Sequence, residues 1–128
     1  MHKVAGCGID IEELVRFEKI LQKSDSGLIN DVFTSKEITG NFNDNSVLKF
    51  TLGFSCKEAV FKALGTGWAQ SGISWQDVEL LFGDSLDEYK VNLNGFASDI
   101  FDQKRYNKII PSFYYNEIYV VFRIILLK

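Results

Sequence analysis

The chain has 128 residues, 46% of them hydrophobic and 24% charged, with two cysteines, one proline and a single histidine, His2. One histidine beside the first methionine excludes His-based triads, histidine zinc cages and HExxH proteases, while Cys7 and Cys56 lie far apart with no CxxC spacing. Metal chemistry therefore falls to carboxylates, which suit Mg²⁺ or Ca²⁺, and a net charge of −3 argues against nucleic acid as a partner.

The length predicts one domain, residues 1–128, with a modest core. Eleven Phe, five Tyr and two Trp exceed what such a core needs, so a subunit interface is expected to cover some of them. No signal-peptide pattern is present, and the most apolar stretch, residues 118–127, contains Arg123 and is too short to cross a bilayer. A soluble cytoplasmic protein with reduced thiols and no membrane partner is the expectation.

Taken along the chain, residues 4–11 alternate small and branched apolar residues and reach Asp10, which predicts a strand ending near a carboxylate. A helix over 12–23 follows, with Leu14, Phe17 and Leu21 at helical spacing. Arg16, Lys19 and Lys23 stand at i, i+3 and i+7 on its other side, either as a solvated face or as a dock for an acidic partner. Two short helical pieces, 28–33 and 34–38, precede a polar loop at 40–46, with Thr34 or Ser35 as the cap of the second piece.

A long helix is predicted over 47–64. Phe50, Phe54, Phe61 and Leu64 form one apolar face and Leu52, Cys56, Ala59 and Ala63 a second, leaving Thr51, Ser55, Glu58 and Lys62 as a narrow polar strip. Such a helix is central and buried, so its charges must be paired or placed at a site. Glu58 and Lys62 read either as an i, i+4 ion pair or as site residues, and Lys57 is stranded among the phenylalanines. Gly65-Thr66-Gly67 ends the helix, as a left-handed cap or as a turn that phosphate oxygens approach. Beyond it, alternation predicts two paired strands flanking residues 83–88, a helix over 95–105, and a hairpin of 109–115 and 118–127, together an α+β fold.

Several segments then form one ordered pattern: Gly8-Ile9-Asp10-Ile11 with Arg16-Phe17; Phe33-Thr34 with Glu37; the run from Phe54 through Lys57-Glu58-Ala59 to Gly65-Thr66-Gly67; and Trp75-Gln76-Asp77-Val78-Glu79. This pattern resembles the holo-acyl-carrier-protein synthases, the small class of 4′-phosphopantetheinyl transferases. The resemblance implies an α+β fold, a mainly antiparallel sheet packed against the long central helix. It also implies transfer of phosphopantetheine from coenzyme A to a serine hydroxyl of an apo acyl carrier protein, with release of adenosine 3′,5′-bisphosphate. In that reading Asp10 and Glu58 hold Mg²⁺, and Lys62 stands beside the phosphates. Glu58, or a water it holds, takes the serine proton. Lys57 supports the coenzyme A site, and Gly65, Thr66 and Gly67 form the turn near coenzyme A. Arg16, with Lys19 and Lys23, grips the acidic helix of the carrier. The resemblance also implies a homotrimer with active sites between subunits.

Three positions depart from the pattern. Gly53 stands where the family carries arginine, Tyr114 where it carries a coenzyme A-contacting histidine, and Asp87-Glu88-Tyr89 where it has a Gly-x-Pro turn. The metal and transfer centre is intact while the nucleotide side is altered. A non-catalytic member that docks a carrier, or a transferase using another pantetheine-bearing donor, therefore stays open.

Overall fold

The first strand, β1 (Val4–Glu13), runs past the predicted end at Ile11 because a partner continues opposite it: Glu12 and Glu13 pair with Val120 and Tyr119. The computed structural model describes residues 2–23, 27–41, 43–66 and 72–128, so Gly67 lies outside the described residues. Helix α1 (Leu14–Gln22) starts two positions later than its periodicity suggests and buries Phe17. Lys23 is its extended C-cap residue, so the basic stripe on the helix itself consists of Arg16 and Lys19. Helices α2 (Gly27–Val32) and α3 (Ser35–Asn41) follow. Thr34 caps α3 reciprocally: its N–H donates to Glu37 Oε1 at 3.1 Å while the Glu37 N–H donates to Thr34 Oγ1 at 3.3 Å, which satisfies two end donors at once.

Helix α4 (Ser46–Leu64) is buried along most of its length, and its apolar residues are spread almost evenly around the axis. Gly8 explains how β1 lies on it. A Cβ at Gly8 would stand 1.9 Å from the Ala59 carbonyl oxygen, so only glycine lets the strand backbone rest directly on the helix backbone.

Strands β2 (Val78–Phe82) and β3 (Tyr89–Leu93) pair antiparallel, as predicted, after a 3₁₀ turn at Trp75–Asp77 that the sequence did not signal. Trp75 fills the space beside α4, its ring 4.9 Å from Phe54 and 5.5 Å from Phe61. Helix α5 (Gly95–Gln103) leads to the hairpin of β4 (Lys108–Tyr115) and β5 (Tyr119–Leu127). Asn116 Oδ1 closes that turn by accepting from the Ile118 and Tyr119 amides.

The larger sheet has the order β1-β5-β4 and is antiparallel throughout. Val120, Phe122, Ile124 and Leu126 of β5 are fully buried against the core that includes Ala59, Val60, Ala63 and Leu64 of α4. The mainly antiparallel sheet on a long central helix is thus the observed α+β architecture. The opposite sheet face is open and apolar: Ile9, Ile11, Ile110 and Tyr114 are all exposed there. Among the described residues no helix is long and apolar enough to cross a membrane.

Candidate active site

On α4, Ser55, Glu58 and Lys62 fall three and four positions apart, a spacing that puts them on one stripe. Both outer members of the stripe touch β1. Ser55 Oγ donates to the Asp10 carbonyl oxygen at 3.1 Å, and Lys62 Nζ donates to Asp10 Oδ1 at 3.1 Å and to the Ile9 carbonyl oxygen at 3.0 Å. Glu58 lies on the helix turn between these two contacts, near enough to Glu12 for their charges to interact. The lysine of the predicted i, i+4 pair reaches across to the strand, and its side chain is half exposed at 51% while that of Asp10 is 8% exposed.

Asp10 Oδ2 is buried and has no hydrogen-bond partner. Glu12, two residues on along the same face of β1, brings its carboxyl within hydrogen-bonding reach of Asp10, and Arg16 Nη1 holds its other side at 3.3 Å. Burial pushes the Glu12 carboxyl up to about 8, reinforced by the hydrogen bond to Asp10 and by the Asp10 charge; Arg16 opposes the rise and Glu58 adds to it. Two carboxylates are both acceptors, so a proton or a cation must lie between them for either to be satisfied. An orphaned buried oxygen in an all-oxygen donor set fits a hard divalent cation. Among the described residues, no three His, Cys, Asp or Glu side chains close into a metal cage.

At the end of α4, Gly65 adopts a φ of 75° and its N–H returns to the Lys62 and Phe61 carbonyls, the left-handed cap that the glycine pattern allowed. Lys104 Nζ donates to the Leu64 carbonyl oxygen and steadies this turn, while Thr66 Oγ1 is buried without a hydrogen-bond partner among the described residues.

The profile of the 4′-phosphopantetheinyl transferase superfamily matches residues 6–110, from the β1 glycines through α4 into the first part of β4. The chain belongs to that superfamily. A holo-[acyl-carrier-protein] synthase of Geobacter sp. strain M21 is 39% identical over 101 residues, 78% of this chain and 79% of that protein. One of Geobacter metallireducens is 32% identical over 126 residues, 96% and 97% of the two chains. Among solved structures, the holo-[acyl-carrier-protein] synthase of Neisseria meningitidis superposes with a TM-score of 0.83 at 20% identity, covering 98% of this chain and all of that one. An acyl carrier protein synthase of Plasmodium yoelii with ADP bound gives 0.80 at 23% identity, covering 99% and 97%. These two show the shared fold.

Against the superfamily pattern, two predicted site residues change their standing. Lys57 is fully buried: Nζ donates to Glu37 Oε1 at 2.7 Å and to the Val78 carbonyl oxygen, and lies 5.3 Å from the centre of the Phe33 ring. Its ammonium is enclosed and committed to these partners and faces no solvent. Its place is behind the site. Glu37, which entered the sequence pattern with no role, also accepts from the Thr34 and Leu80 amides. Burial pushes its carboxyl up and Lys57 opposes that rise.

Tyr114, 69% exposed, pairs with Val121, which in turn pairs with Ile11. It therefore points from the sheet face opposite Asp10, and one chain does not bring Tyr114 to the Asp10–Lys62 centre. Gly53 is buried, and a Cβ there would stand 3.0 Å from Phe33 Cε1, so packing against that ring occupies the position where the pattern has a cation. Asp84, Asp87 and Glu88 are exposed on the β2–β3 turn. Arg16, Lys19 and Lys23 are exposed, Arg16 lying 5.5 Å over the Phe54 ring. Glu12, Ser55 and Glu37 are the residues whose part in the site was missed. Alternation along β1 puts Glu12 on the Asp10 face, the one signal that pointed to it.

Proposed function

We propose that the chain is a cytoplasmic holo-acyl-carrier-protein synthase: it transfers 4′-phosphopantetheine from coenzyme A to a serine hydroxyl of an apo acyl carrier protein and releases adenosine 3′,5′-bisphosphate. The Asp10–Lys62 contact carries this reading, because it joins two of the polar residues of the superfamily pattern where β1 lies on α4, with Glu58 on the same stripe.

In the reaction the serine oxygen bonds to the pantetheine-side phosphorus of the pyrophosphate, and the bond from that phosphorus to the bridging oxygen breaks. Charge gathers on the leaving nucleotide phosphate and the equatorial oxygens, so stabilisation is mainly electrostatic. Lys62, half exposed and held by Asp10, offers a point charge to these oxygens. Asp10 and Glu58 would hold Mg²⁺. Held there, the ion would supply Lewis-acid stabilisation to the pyrophosphate. Glu58, or a water that it orients, accepts the serine proton. The Gly65 turn and the Thr66 hydroxyl stand at the end of α4 where coenzyme A would lie.

Arg16 and Lys19 on α1, with Lys23 just beyond it, form the dock for the acidic helix of the carrier. The exposed apolar sheet face of Ile9, Ile11, Ile110 and Tyr114 forms the interface of a homotrimer, in which Tyr114 serves the site of a neighbouring copy.

The test is incubation with Mg²⁺, an apo carrier protein and either coenzyme A or dephospho-coenzyme A, followed by mass measurement of the carrier. A phosphopantetheine increment from coenzyme A supports the proposal. Buried Gly53 and the exposed acids of the β2–β3 turn favour a second reading, a donor lacking the 3′-phosphate, and an increment from dephospho-coenzyme A alone would establish it. No increment with several carriers and both donors would leave a non-catalytic carrier-docking protein.

A further inference from the structure

A helix whose apolar residues are spread almost evenly around its axis has no preferred rotation from burial alone, because turning it exchanges one apolar face for another. The rotation of α4 must come from directional bonds. Ser55 and Lys62 supply them on the β1 side. On the far flank, about 160° around the axis from Ser55, Lys57 supplies others. Its ammonium joins α4 to Glu37 of α3 and to the Val78 carbonyl of β2, and the second Glu37 oxygen accepts from the Leu80 amide. Thr34 extends the tie, its Oγ1 donating to Glu79 Oε2 at 2.6 Å. Three successive β2 residues, Val78, Glu79 and Leu80, are thereby bound to α3 or α4 through hydrogen bonds of fixed direction.

An apolar pair of similar volume would keep the packing, since the ion pair itself is often replaceable by packed hydrophobic groups, at the cost of leaving the Leu80 amide and the Val78 carbonyl without these partners. What an apolar pair lacks is direction. We infer that Glu37 and Lys57 are positioning residues that set the rotation of α4 and so hold Glu58 in its place between the two contacts to β1. A carboxylate about 6 Å from the helix axis moves by about 2 Å when the helix turns by about 20°. A misplacement of about 1 Å is enough to cost ~100-fold in rate. The inference rests on the transferase reading for its kinetic consequence, and on geometry alone for its consequence at the metal centre.

The experiment compares the parent, Glu37→Leu/Lys57→Met, Glu58→Gln and the triple variant. The probe is Mn²⁺ alone, followed by electron paramagnetic resonance, alongside kcat and KM in the transfer assay. The double variant is expected to fold with a lowered Tm, because the Leu80 amide and the Val78 carbonyl lose their partners, to bind Mn²⁺ at least ~10-fold more weakly and to lose ~10–100-fold in kcat, with the carrier KM within about twofold. Because the pair acts through Glu58, adding the double substitution to Glu58→Gln is expected to weaken Mn²⁺ binding no further. A folded double variant with parental Mn²⁺ affinity and kcat overturns the inference, as does a full additional loss in the Glu58→Gln background. Should the double variant not fold, Glu37→Asp keeps the charge and shortens the tether by one methylene. The same ~10-fold loss is then expected, and parental values overturn the inference. A parent that transfers nothing defeats the transferase reading, while the Mn²⁺ comparison still decides the role of the pair.

Discussion

Replacing Gly8 by alanine sets a Cβ 1.9 Å from the Ala59 carbonyl oxygen and 2.7 Å from the Ala63 nitrogen, both backbone atoms inside α4. Neither can swing aside as a side chain would, so restoring ordinary contact requires β1 and α4 to part by about 1.5 Å. Overpacking of this kind costs about 1–3 kcal/mol, and for a chain of 128 residues 3 kcal/mol lowers Tm by roughly 10 °C. The larger effect falls on the site. The bonds from Ser55 and Lys62 to Asp10, both at 3.1 Å, would lengthen beyond hydrogen-bond range, and transfer is expected to fall ~100-fold or more. Calorimetry and the mass assay check both effects. Gly40→Ala is the control, because nothing lies within 4 Å of a Cβ there and its helical position predicts a small gain in stability. A Gly8→Ala protein with parental Tm and parental transfer would refute the account of how β1 and α4 build the site.

Because burial raises the Glu12 carboxyl to about 8, the folded chain holds a proton that the unfolded chain has released, so its stabilising effect is complete below the ordinary glutamate range and is lost as pH rises towards 8. Without divalent cations, denaturant unfolding should show stability declining over that window, and Glu12→Gln should flatten the decline; an unchanged slope counts against the shared proton. Arg16→Glu should raise the carrier KM ~10-fold, with kcat falling less than threefold, in steady-state transfer assays; an unaltered KM removes α1 from the dock. Ile11→Glu, on the open sheet face, should leave the subunit folded but convert a trimer into smaller species by sedimentation, and a trimer that persists places the interface elsewhere.

Much of this arrangement was legible in the sequence because local periodicity carried it. Alternation located β2, β3, β4 and β5, and helical spacing marked Thr51, Ser55, Glu58 and Lys62 as one polar strip, two of whose members touch β1. The end of β1 was not legible, since Glu12 and Glu13 stay extended only through pairing with residues far along the chain. The partner of Lys57 was hidden for the same reason: nothing around Lys57 points to Glu37, and only the packing of α3 on β2 brings them together. Tyr114 failed differently. Its strand was predicted, but which face it occupies depends on the β4–β5 register, and one residue of shift would have placed it with Asp10.

The strand order has a consequence for how this protein comes into being. Asp10 belongs to a strand whose hydrogen-bonded neighbour in its sheet, among the described residues, is Tyr119–Leu127. During synthesis the segment holding Asp10 emerges well before residues 119–127, and it lacks its strand partner until they have followed it out. Such long-range pairing folds slowly. It also delays the chemistry: a nascent chain carrying Asp10, Glu58 and Lys62 already possesses every residue proposed for transfer but lacks the strand that holds the first of them in place. Competence therefore arrives late and all at once, when β5 slides between β1 and β4.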